Sequence, residues 1–245
     1  MAANGDIFIT WLGHSTFHIT TPGGKTILID PWLTDNPKTP NEYKAGFDKL
    51  DYLLITHGHS DHFGDVLTVI EKNQPVTVAA YEIIGYLQKK GLKNGIPVNK
   101  GGTTTLPGSD TIKVTAVHAD HTSSIQDGDQ TIYAGEPMGF VIEFENGYVI
   151  YNTGDTAVFG DMKIISELYL PNLLMLPIGD HFTMGPKEAA YAIKLVDASK
   201  VLPMHYGTFP MLTGTPEKLR AQLVCRNTEV LSPAVGETIT LTHKT

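Results

Sequence analysis

The sequence predicts an α/β protein folded as an αββα sandwich, in which two β-rich halves pack face to face with helices outside. The main observation is a candidate internal repeat. A hairpin strand that ends in an aspartate is followed by an apolar strand that runs into a histidine, across residues 25–57 and again across residues 148–181. The second observation is that short apolar strand patterns occur together with helical patterns along the chain. If the halves pack sheet on sheet, their polar strand ends meet along one edge, where we expect a site.

The first half is predicted to be rich in strands. Three short β-branched or apolar runs predict them, at Asp6–Thr10, His14–Thr20 and Lys25–Asp30. Pro22-Gly23-Gly24 predicts a hairpin turn between the last two. Asp51–Thr56 is almost wholly apolar, as expected of a strand covered on both faces. The spacing of apolar residues predicts helices at Phe63–Lys72 and at Tyr81–Lys90.

The second half contains the same mixture. Five apolar runs predict strands, at Thr111–Val117, Met138–Glu145, Tyr148–Tyr151, Leu173–Pro177 and Lys200–Met204. Asn146-Gly147 predicts the tight turn between the second and third of these strands. Helices are expected near Asp161–Tyr169, from Pro186, and from Pro216 with Thr215 as the N-cap.

Composition and charge narrow the class of protein. The 245 residues contain no low-complexity tract or Pro/Ser linker, so we expect one domain over residues 1–245. A content of 41% hydrophobic and 18% charged residues is typical of a globular protein. The formal net charge of -8 argues against a broad phosphate-binding surface, and we therefore do not expect a nucleic-acid partner.

Three features indicate a soluble, cytoplasmic protein. The single cysteine, Cys225, excludes an intrachain disulfide framework. No apolar run approaches the roughly 18 residues needed to cross a bilayer, so no membrane contact is expected. The start, Met1–Asp6, has neither the basic nor the apolar region of a secretory signal. Whether the chain forms homo-oligomers is left open by the sequence.

The strongest local signal for chemistry is the segment Thr56-His57-Gly58-His59-Ser60-Asp61-His62. Three imidazoles and a carboxylate fall within six residues, between a buried strand and a helix. Imidazole nitrogens and carboxylate oxygens bind borderline divalent metals such as Zn²⁺. Four donors so close together in the sequence favour two metal ions over one.

Four local donors cannot complete two metal sites, so further ligands are expected at distant positions. The candidates follow predicted strands: His118, His121, Asp155, His181 and His205. Because the carboxyl ends of such strands face one edge of a sheet, these side chains are expected to converge there.

The chain resembles the metallo-β-lactamase superfamily, whose signature H-x-H-x-D-H matches His57-Gly-His-Ser-Asp-His62. The later order also matches: a histidine at the end of a strand, then Gly-Asp at the end of a strand, and then a late histidine at the end of a strand. The likeness spans nearly the whole chain. Several strings are similar to one branch, the metal-dependent hydrolases related to L-ascorbate-6-phosphate lactonase: Trp11–Ser15, Leu28–Pro31, His121–Ser124, Pro177–Asp180, Phe182–Pro186 and His205–Pro210. The resemblance implies the metallo-β-lactamase fold and a metal-dependent hydrolase.

The resemblance also implies a ligand set. One metal would be held by His57, His59 and a third histidine, which is His121 because a Thr-Ser pair follows it. Asp61, His62 and His205 would hold the second metal, and Asp155 would bridge the two. Asp30 resembles an early aspartate that supports the histidine turn from behind. His118 would then lie behind the ligands or in the pocket.

The identity of the metal depends on position 59. Oxygen-reducing diiron members of the superfamily usually carry glutamate where this chain has His59. Imidazole there favours two Zn²⁺ ions, with Mn²⁺ or Fe²⁺ as alternatives, and disfavours a redox role.

The expected reaction is hydrolysis of a small-molecule ester, lactone or phosphorylated metabolite by a hydroxide activated between two metals. Asp61 could also orient the nucleophile. His14 is either a hydrogen-bond donor to substrate or a turn residue bonded to backbone, and both readings stand. The expected pocket residues are Asp180, His181, Thr183, Met184, Tyr206, Thr208 and Phe209.

Three alternatives compete with this function. The first is an RNA or DNA phosphodiesterase of the same superfamily, which usually has an added nucleic-acid-binding arm. The second is a non-catalytic metal-binding protein. The full expected ligand set argues against it, because a purely structural zinc site needs only four ligands and no open position. The third is a thioester hydrolase, which commonly carries an extra C-terminal helical region that this sequence lacks.

Overall fold

The computed structural model of the chain describes residues 5–109, 111–223 and 227–243. Cys225 and the first four residues lie outside these ranges. Two seven-stranded sheets and a separate two-stranded hairpin make up the β-structure of the described part. The predicted αββα sandwich is confirmed.

The first sheet combines strands from both ends of the chain. Its strands are β1 (Ile7–Trp11), β2 (Phe17–Thr20), β3 (Thr26–Ile29), β4 (Tyr52–Leu54), β5 (Val76–Ala80), β6 (Gly95–Val98) and β16 (Thr238–Leu241). Their order across the sheet is β16-β1-β2-β3-β4-β5-β6. Pairing is antiparallel from β16 to β3 and parallel from β3 to β6.

The second sheet is built in the same way. Its strands are β7 (Thr103–Thr105), β8 (Lys113–His118), β11 (Met138–Glu143), β12 (Val149–Asn152), β13 (Leu173–Pro177), β14 (Lys200–Met204) and β15 (Glu229–Val230). Their order is β15-β14-β13-β12-β11-β8-β7. Strands β9 (Ser124–Asp127) and β10 (Gln130–Tyr133) form the separate hairpin.

The predicted internal repeat corresponds to a shared strand pattern. In each sheet an antiparallel hairpin, β2–β3 or β11–β12, leads into parallel strands, β3–β4–β5 or β12–β13–β14. Asp30 follows β3, and Asp155 comes three residues after the end of β12. The repeat therefore places one aspartate in each half just after the end of the corresponding strand.

The helices are short and lie between or after the strands. They are α1 (Asn41–Lys44), α2 (Ser60–Phe63), α3 (Val66–Asn73), α4 (Tyr81–Lys89), α5 (Met162–Tyr169), α6 (Pro186–Val196) and α7 (Pro216–Gln222). Thr215 caps α7 as predicted, since its side chain accepts a hydrogen bond from the backbone N–H of Lys218. No helix in the described ranges is both long and apolar enough to cross a membrane.

Strand β13 shows how the layers are held together. Leu173 and Met175 belong to an apolar cluster shared by both sheets, whereas Leu174 and Leu176 belong to a second cluster formed with α5, α6 and α7. Alternate side chains of this strand therefore point to opposite faces, and both faces are buried. Because both faces are buried, the sequence of this strand is a continuous apolar run.

Two element predictions were wrong in detail. The strand predicted from His14 begins only at Phe17, because His14 has a φ of 55° and lies in a turn. The helix predicted at Phe63–Lys72 is two helices, α2 and α3, separated at Gly64 and Asp65. The buried carboxylate of Asp65 accepts hydrogen bonds from the backbone N–H groups of Leu33 and Thr34, which fixes the loop beside the site.

Candidate active site

The candidate site lies where strands of both sheets end. His57 comes shortly after β4, His121 after β8, Asp155 after β12 and His205 directly after β14. Asp30 directly follows β3. The sandwich therefore gathers at one edge residues that are far apart in the sequence, as expected for the ends of parallel strands.

A first triad consists of His57, His59 and His121. Nε2 of His57 lies 3.0 Å from Nδ1 of His59. The ring of His121 lies 5.1 Å from each of the other two rings. One nitrogen from each of the three rings falls within 4.8 Å of the others, so the triad could hold a metal ion.

A second triad consists of Asp61, His62 and His205. Oδ2 of Asp61 lies 3.5 Å from Nε2 of His205 and 4.0 Å from Nε2 of His62. These three residues and His14 form another group whose possible ligand atoms lie within 4.8 Å of one another. Both His62 and His205 are buried.

Asp155 lies between the two triads. Its Oδ2 is 2.9 Å from Nε2 of His205, 3.2 Å from Nε2 of His62 and 3.8 Å from Nε2 of His121. The carboxylate is almost fully buried, and it is the acidic group that contacts both triads. A carboxylate in this position has the geometry needed to contact two cations at once.

Hydrogen bonds behind the triads fix which histidine nitrogens face the centre. Thr56 donates its hydroxyl hydrogen to Asp30, so its oxygen is left to accept from Nδ1 of His57, 3.0 Å away. Nδ1 of His62 lies 2.8 Å from Oδ2 of Asp30. In both histidines Nε2 is therefore the nitrogen turned toward the other ligands.

Buried polar atoms that lack a hydrogen-bond partner indicate whether a metal ion would fit among the candidate ligands. Among the described residues, Nε2 of His62 and Oδ1 of Asp155 are buried and lack one, although Nε2 lies 3.2 Å from the other oxygen of Asp155. Buried polar atoms are normally satisfied, so such atoms call for an explanation. Metal coordination at these atoms is a sufficient one, and nitrogen and carboxylate oxygen suit Zn²⁺.

His14 lies in a turn, and both of its ring nitrogens contact other side chains of the site. It is fully buried, and its Nε2 lies 2.9 Å from Oδ2 of Asp61 while its Nδ1 lies 2.9 Å from the hydroxyl of Thr208. Burial lowers its pKa to about 4, so the ring is neutral at pH 7. With both ring nitrogens engaged, His14 orients Asp61 and has no free donor for a substrate.

Three residues of the site have backbone conformations that most side chains avoid. The φ angles are 55° at His14, 47° at Asp30 and 57° at His205. Left-handed backbone at residues other than glycine is uncommon and clusters at functional sites. The backbone N–H of His205 also donates to the carbonyl of His14, which joins two of these turns.

The first triad is electrically neutral without a metal. Burial lowers the pKa of all three histidines, and that of His57 falls well below its usual value. Unprotonated imidazoles can accept a metal at neutral pH with little competition from protons.

The second triad is charged without a metal. Burial lowers the pKa of His205, but the Asp155 carboxylate outweighs that effect and the pKa is raised to about 9. His62 has a pKa well above its usual value for the same reason, with Asp155 again the main contributor. Burial raises the pKa of Asp155, but His205 and His62 outweigh it, so the carboxylate stays ionised.

A cavity of about 800 Å³ opens directly over both triads. Five of the predicted metal ligands line it: His59, Asp61, His121, Asp155 and His205. Its volume lies in the usual range for small-molecule sites. The ligands therefore face a space that a substrate can enter.

Several predicted pocket residues lie elsewhere. His118 is exposed at the end of β8, 3.3 Å from Nζ of Lys100, and His181 is exposed against the ring of Phe182. Asp180 is exposed and accepts a hydrogen bond from the backbone N–H of His181. Tyr206 stacks on Trp11 and lines a separate cavity of about 270 Å³ behind His14. Met184 is a core residue.

Sequence reasoning missed half of the residues that line the cavity. These are Trp32, Ser60, Thr122, Ser124, Gln126 and Phe182, while Phe209 lines it as one of the expected pocket residues. The hairpin β9–β10, which carries two of them, was also not predicted. The Asp127-Gly128-Asp129 turn was a usable signal for that hairpin.

Comparison with known sequences identifies the family. The profile of the family described as "Beta-lactamase superfamily domain" matches residues 25–206. A UPF0173 metal-dependent hydrolase of Rubrobacter xylanophilus is 56% identical over 215 residues, which is 87% of this chain and 87% of that protein. Another from Koribacter versatilis is 49% identical over 230 residues, covering 94% of this chain and 96% of its own.

Solved structures agree with the sequences. Igni18, described as a novel metallo hydrolase from Ignicoccus hospitalis, has a TM-score of 0.85 and 35% identity, over 98% of this chain and 100% of that one. An isothiocyanate hydrolase from Delia radicum gut bacteria has a TM-score of 0.73 over 96% of this chain and 100% of its own, and its 18% identity shows a shared fold alone. The chain thus belongs to the metallo-β-lactamase superfamily and is a metal-dependent hydrolase.

Proposed function

We propose that this enzyme uses two divalent metal ions, Zn²⁺ in the first instance, to hydrolyse a small-molecule ester, lactone or phosphorylated metabolite. The observation that carries the proposal is the position of Asp155. One oxygen of this carboxylate contacts histidines of both triads, directly beneath a cavity of about 800 Å³. Two metal ions that share a bridging ligand are a common arrangement for hydrolysis.

The proposed ligands follow from the two triads. His57, His59 and His121 would hold one metal, and Asp61, His62 and His205 would hold the other. Asp155 would bridge them. This choice of His121 over His118 is supported by the ring contacts of His121 with His57 and His59, whereas His118 lies beside Lys100.

When bound, the metal pair would lower the pKa of a water molecule toward 7 and polarise the bond to be cleaved. The protein side chains prepare for this chemistry in two ways. Burial raises the pKa of Asp61, but the charge of His62 and the hydrogen bond from His14 outweigh it, so the carboxylate stays ionised and is placed to orient a nucleophilic water. The buried Asp30 fixes the ring of His62, and Thr56 fixes that of His57.

The alternatives are less well supported. A nuclease needs lysine or arginine residues near its site to bind a phosphate backbone. Among the described residues, none of either type lines the cavity. Structural zinc sites are closed by four protein ligands and leave no position open to a substrate. The cavity over the candidate ligands therefore argues against a non-catalytic metal site. The sequence strings shared with the lactonase branch support a lactone among these substrate classes.

The test combines metal content with turnover. The zinc-loaded protein and its metal-free form would be assayed against lactones, carboxylic esters, phosphorylated sugar acids, thioesters, phosphodiesters and RNA. We expect two metals per chain and turnover of a small ester, lactone or phosphorylated metabolite that is lost on metal removal. Activity confined to RNA, or two bound metals with no turnover of any substrate, would contradict the proposal.

A further inference from the structure

We propose that the substrate is an uncharged ester or lactone that carries a flat apolar group, and that phosphorylated metabolites are not substrates. The inference rests on the proposed function and narrows it. It follows from the two walls of the cavity, which differ in chemistry, and from the charges that line it.

One wall is aromatic and lies beside the second triad. The rings of Trp32 and Phe209 are stacked at 5.6 Å with an angle of 30° between their planes. Each ring also meets His14 edge to face, at 5.2 Å and 5.7 Å, and His14 is hydrogen-bonded to Asp61. Phe182 lines the same cavity and is 50% exposed. An apolar group bound in the cavity would cover this exposed ring and remove its apolar surface from water.

A second part of the lining is polar and uncharged, and it lies beside the first triad. Thr122, whose hydroxyl is 3.4 Å from Nε2 of His59, is joined there by Ser124 and Gln126 of strand β9. These side chains can donate and accept hydrogen bonds but carry no charge. A carbonyl group bound between the triads would therefore have an apolar substituent on the Trp32 side and a polar one on the hairpin side.

The formal charges in the lining argue against a phosphoryl group. Apart from histidines, Asp61 and Asp155 are the charged residues among the described lining residues, and both are acidic. Phosphate recognition typically uses arginine or lysine to form charge-assisted hydrogen bonds. A phosphoryl group located away from the metals would find no lysine or arginine among the described lining residues, so neutral hydrogen bonds alone would offset its lost hydration.

The test compares ligands that share one metal-binding group and differ only in their tails. Phenylacetohydroxamate, propionohydroxamate and 3-phosphonopropionohydroxamate present an aromatic, a short alkyl and a phosphonate tail. Their dissociation constants with the zinc-loaded protein would be measured by titration calorimetry, which does not depend on turnover. We expect the aromatic tail to bind about tenfold more tightly than the alkyl tail, and the phosphonate tail to bind no more tightly than the alkyl one.

A variant tests whether exposed aromatic surface in the cavity produces the preference. Phe182→Ala should reduce the aromatic-to-alkyl affinity ratio by about threefold or more, because it removes apolar surface from the cavity lining. Tyr191→Ala is the matched control: Tyr191 is also a half-exposed aromatic residue, 55% exposed, but lies on α6 and not in the cavity lining. It should leave the ratio unchanged.

The outcomes separate this inference from the function on which it rests. Equal affinities for the three tails, tightest binding of the phosphonate, or an unchanged ratio in Phe182→Ala would overturn the inference alone. If the protein takes up no zinc, or binds none of the three hydroxamates, the proposed function fails and the inference fails with it.

Discussion

Nδ1 of His62 lies 2.8 Å from Oδ2 of Asp30, a carboxylate that is itself buried and that also accepts hydrogen bonds from the backbone and hydroxyl of Thr56. Asp30 comes from the end of β3, thirty-two residues before His62. The contact fixes the ring of a proposed metal ligand from the side away from the metal. Partners of this kind commonly affect metal affinity about tenfold to a hundredfold.

Replacing Asp30 by asparagine tests this contact. Asp30→Asn keeps the shape of the side chain and tolerates the left-handed backbone, but weakens the hold on His62. We expect zinc affinity to fall by about tenfold or more, as measured by competition with a chelator. Asp35→Asn, at an exposed position in the neighbouring loop, should leave the affinity unchanged. Equal affinities in the two variants would show that Asp30 has no part in the site.

His121 and His118 form a natural pair for mutation. His121 lies with the first triad, whereas His118 is exposed beside Lys100. His121→Ala should lose about one metal per chain, because the first triad is left with two histidines. His118→Ala should keep the full content, as measured by elemental analysis. A deficit in His118→Ala alone would reverse the assignment.

Metal binding should depend on pH differently at the two triads. Without metal, the pKa of His205 is raised to about 9 and that of His62 is also raised, so both are protonated at pH 7. A metal must displace those protons, so affinity at the second triad should fall as pH falls from 9 to 6, by up to about tenfold per unit for each proton released. The histidines of the first triad have lowered pKa values. The metal affinity of this triad should therefore hardly change with pH above about 6.5, the usual pKa of histidine.

Calorimetry in buffers of different ionisation enthalpy would count the protons released at pH 7. We expect the second metal equivalent to release at least one proton and the first to release almost none. If the two equivalents release the same number, the second triad is not charged in the way the structure indicates.

Gly179, directly beyond β13, should be intolerant of a side chain. A Cβ atom at this position would collide with the carbonyl oxygen of His205, which is rigid backbone. Gly179→Ala should therefore lower the free energy of unfolding by about 1–3 kcal/mol and reduce metal content, because His205 is displaced. Gly160→Ala, where a Cβ would meet nothing within 4 Å, is the control. Urea denaturation compares the two, and an unaffected Gly179→Ala would show that the turn at His205 can relax.

Much of the architecture could be predicted because local patterns decide it. Leu173–Pro177 and Lys200–Met204 have the predicted bounds, since long apolar runs bounded by polar residues have few alternative structures. The helix from Pro186 and the cap at Thr215 were likewise set by local chemistry. Strand β9 was missed because Ile125 is the one apolar residue among its four, which gives little apolar signal.

The site could be predicted only in part, for a physical reason. The donors at His57, His59, Asp61 and His62 are adjacent in sequence, so their shared chemistry is visible there. The cavity wall depends on how distant loops meet: Trp32 follows β3, whereas its stacking partner Phe209 follows β14. The role of His14 was also hidden, since its two partners lie 47 and 194 residues away in the chain.

Anomalous diffraction from crystals of the zinc-loaded enzyme, collected on both sides of the zinc absorption edge, would test most directly whether Asp155 joins two metal sites. We expect two peaks about 3.5–4 Å apart, one among His57, His59 and His121 and the other among Asp61, His62 and His205. Asp155 should contact both. A single peak, or two peaks of which one lies away from Asp155, would contradict a shared dinuclear centre.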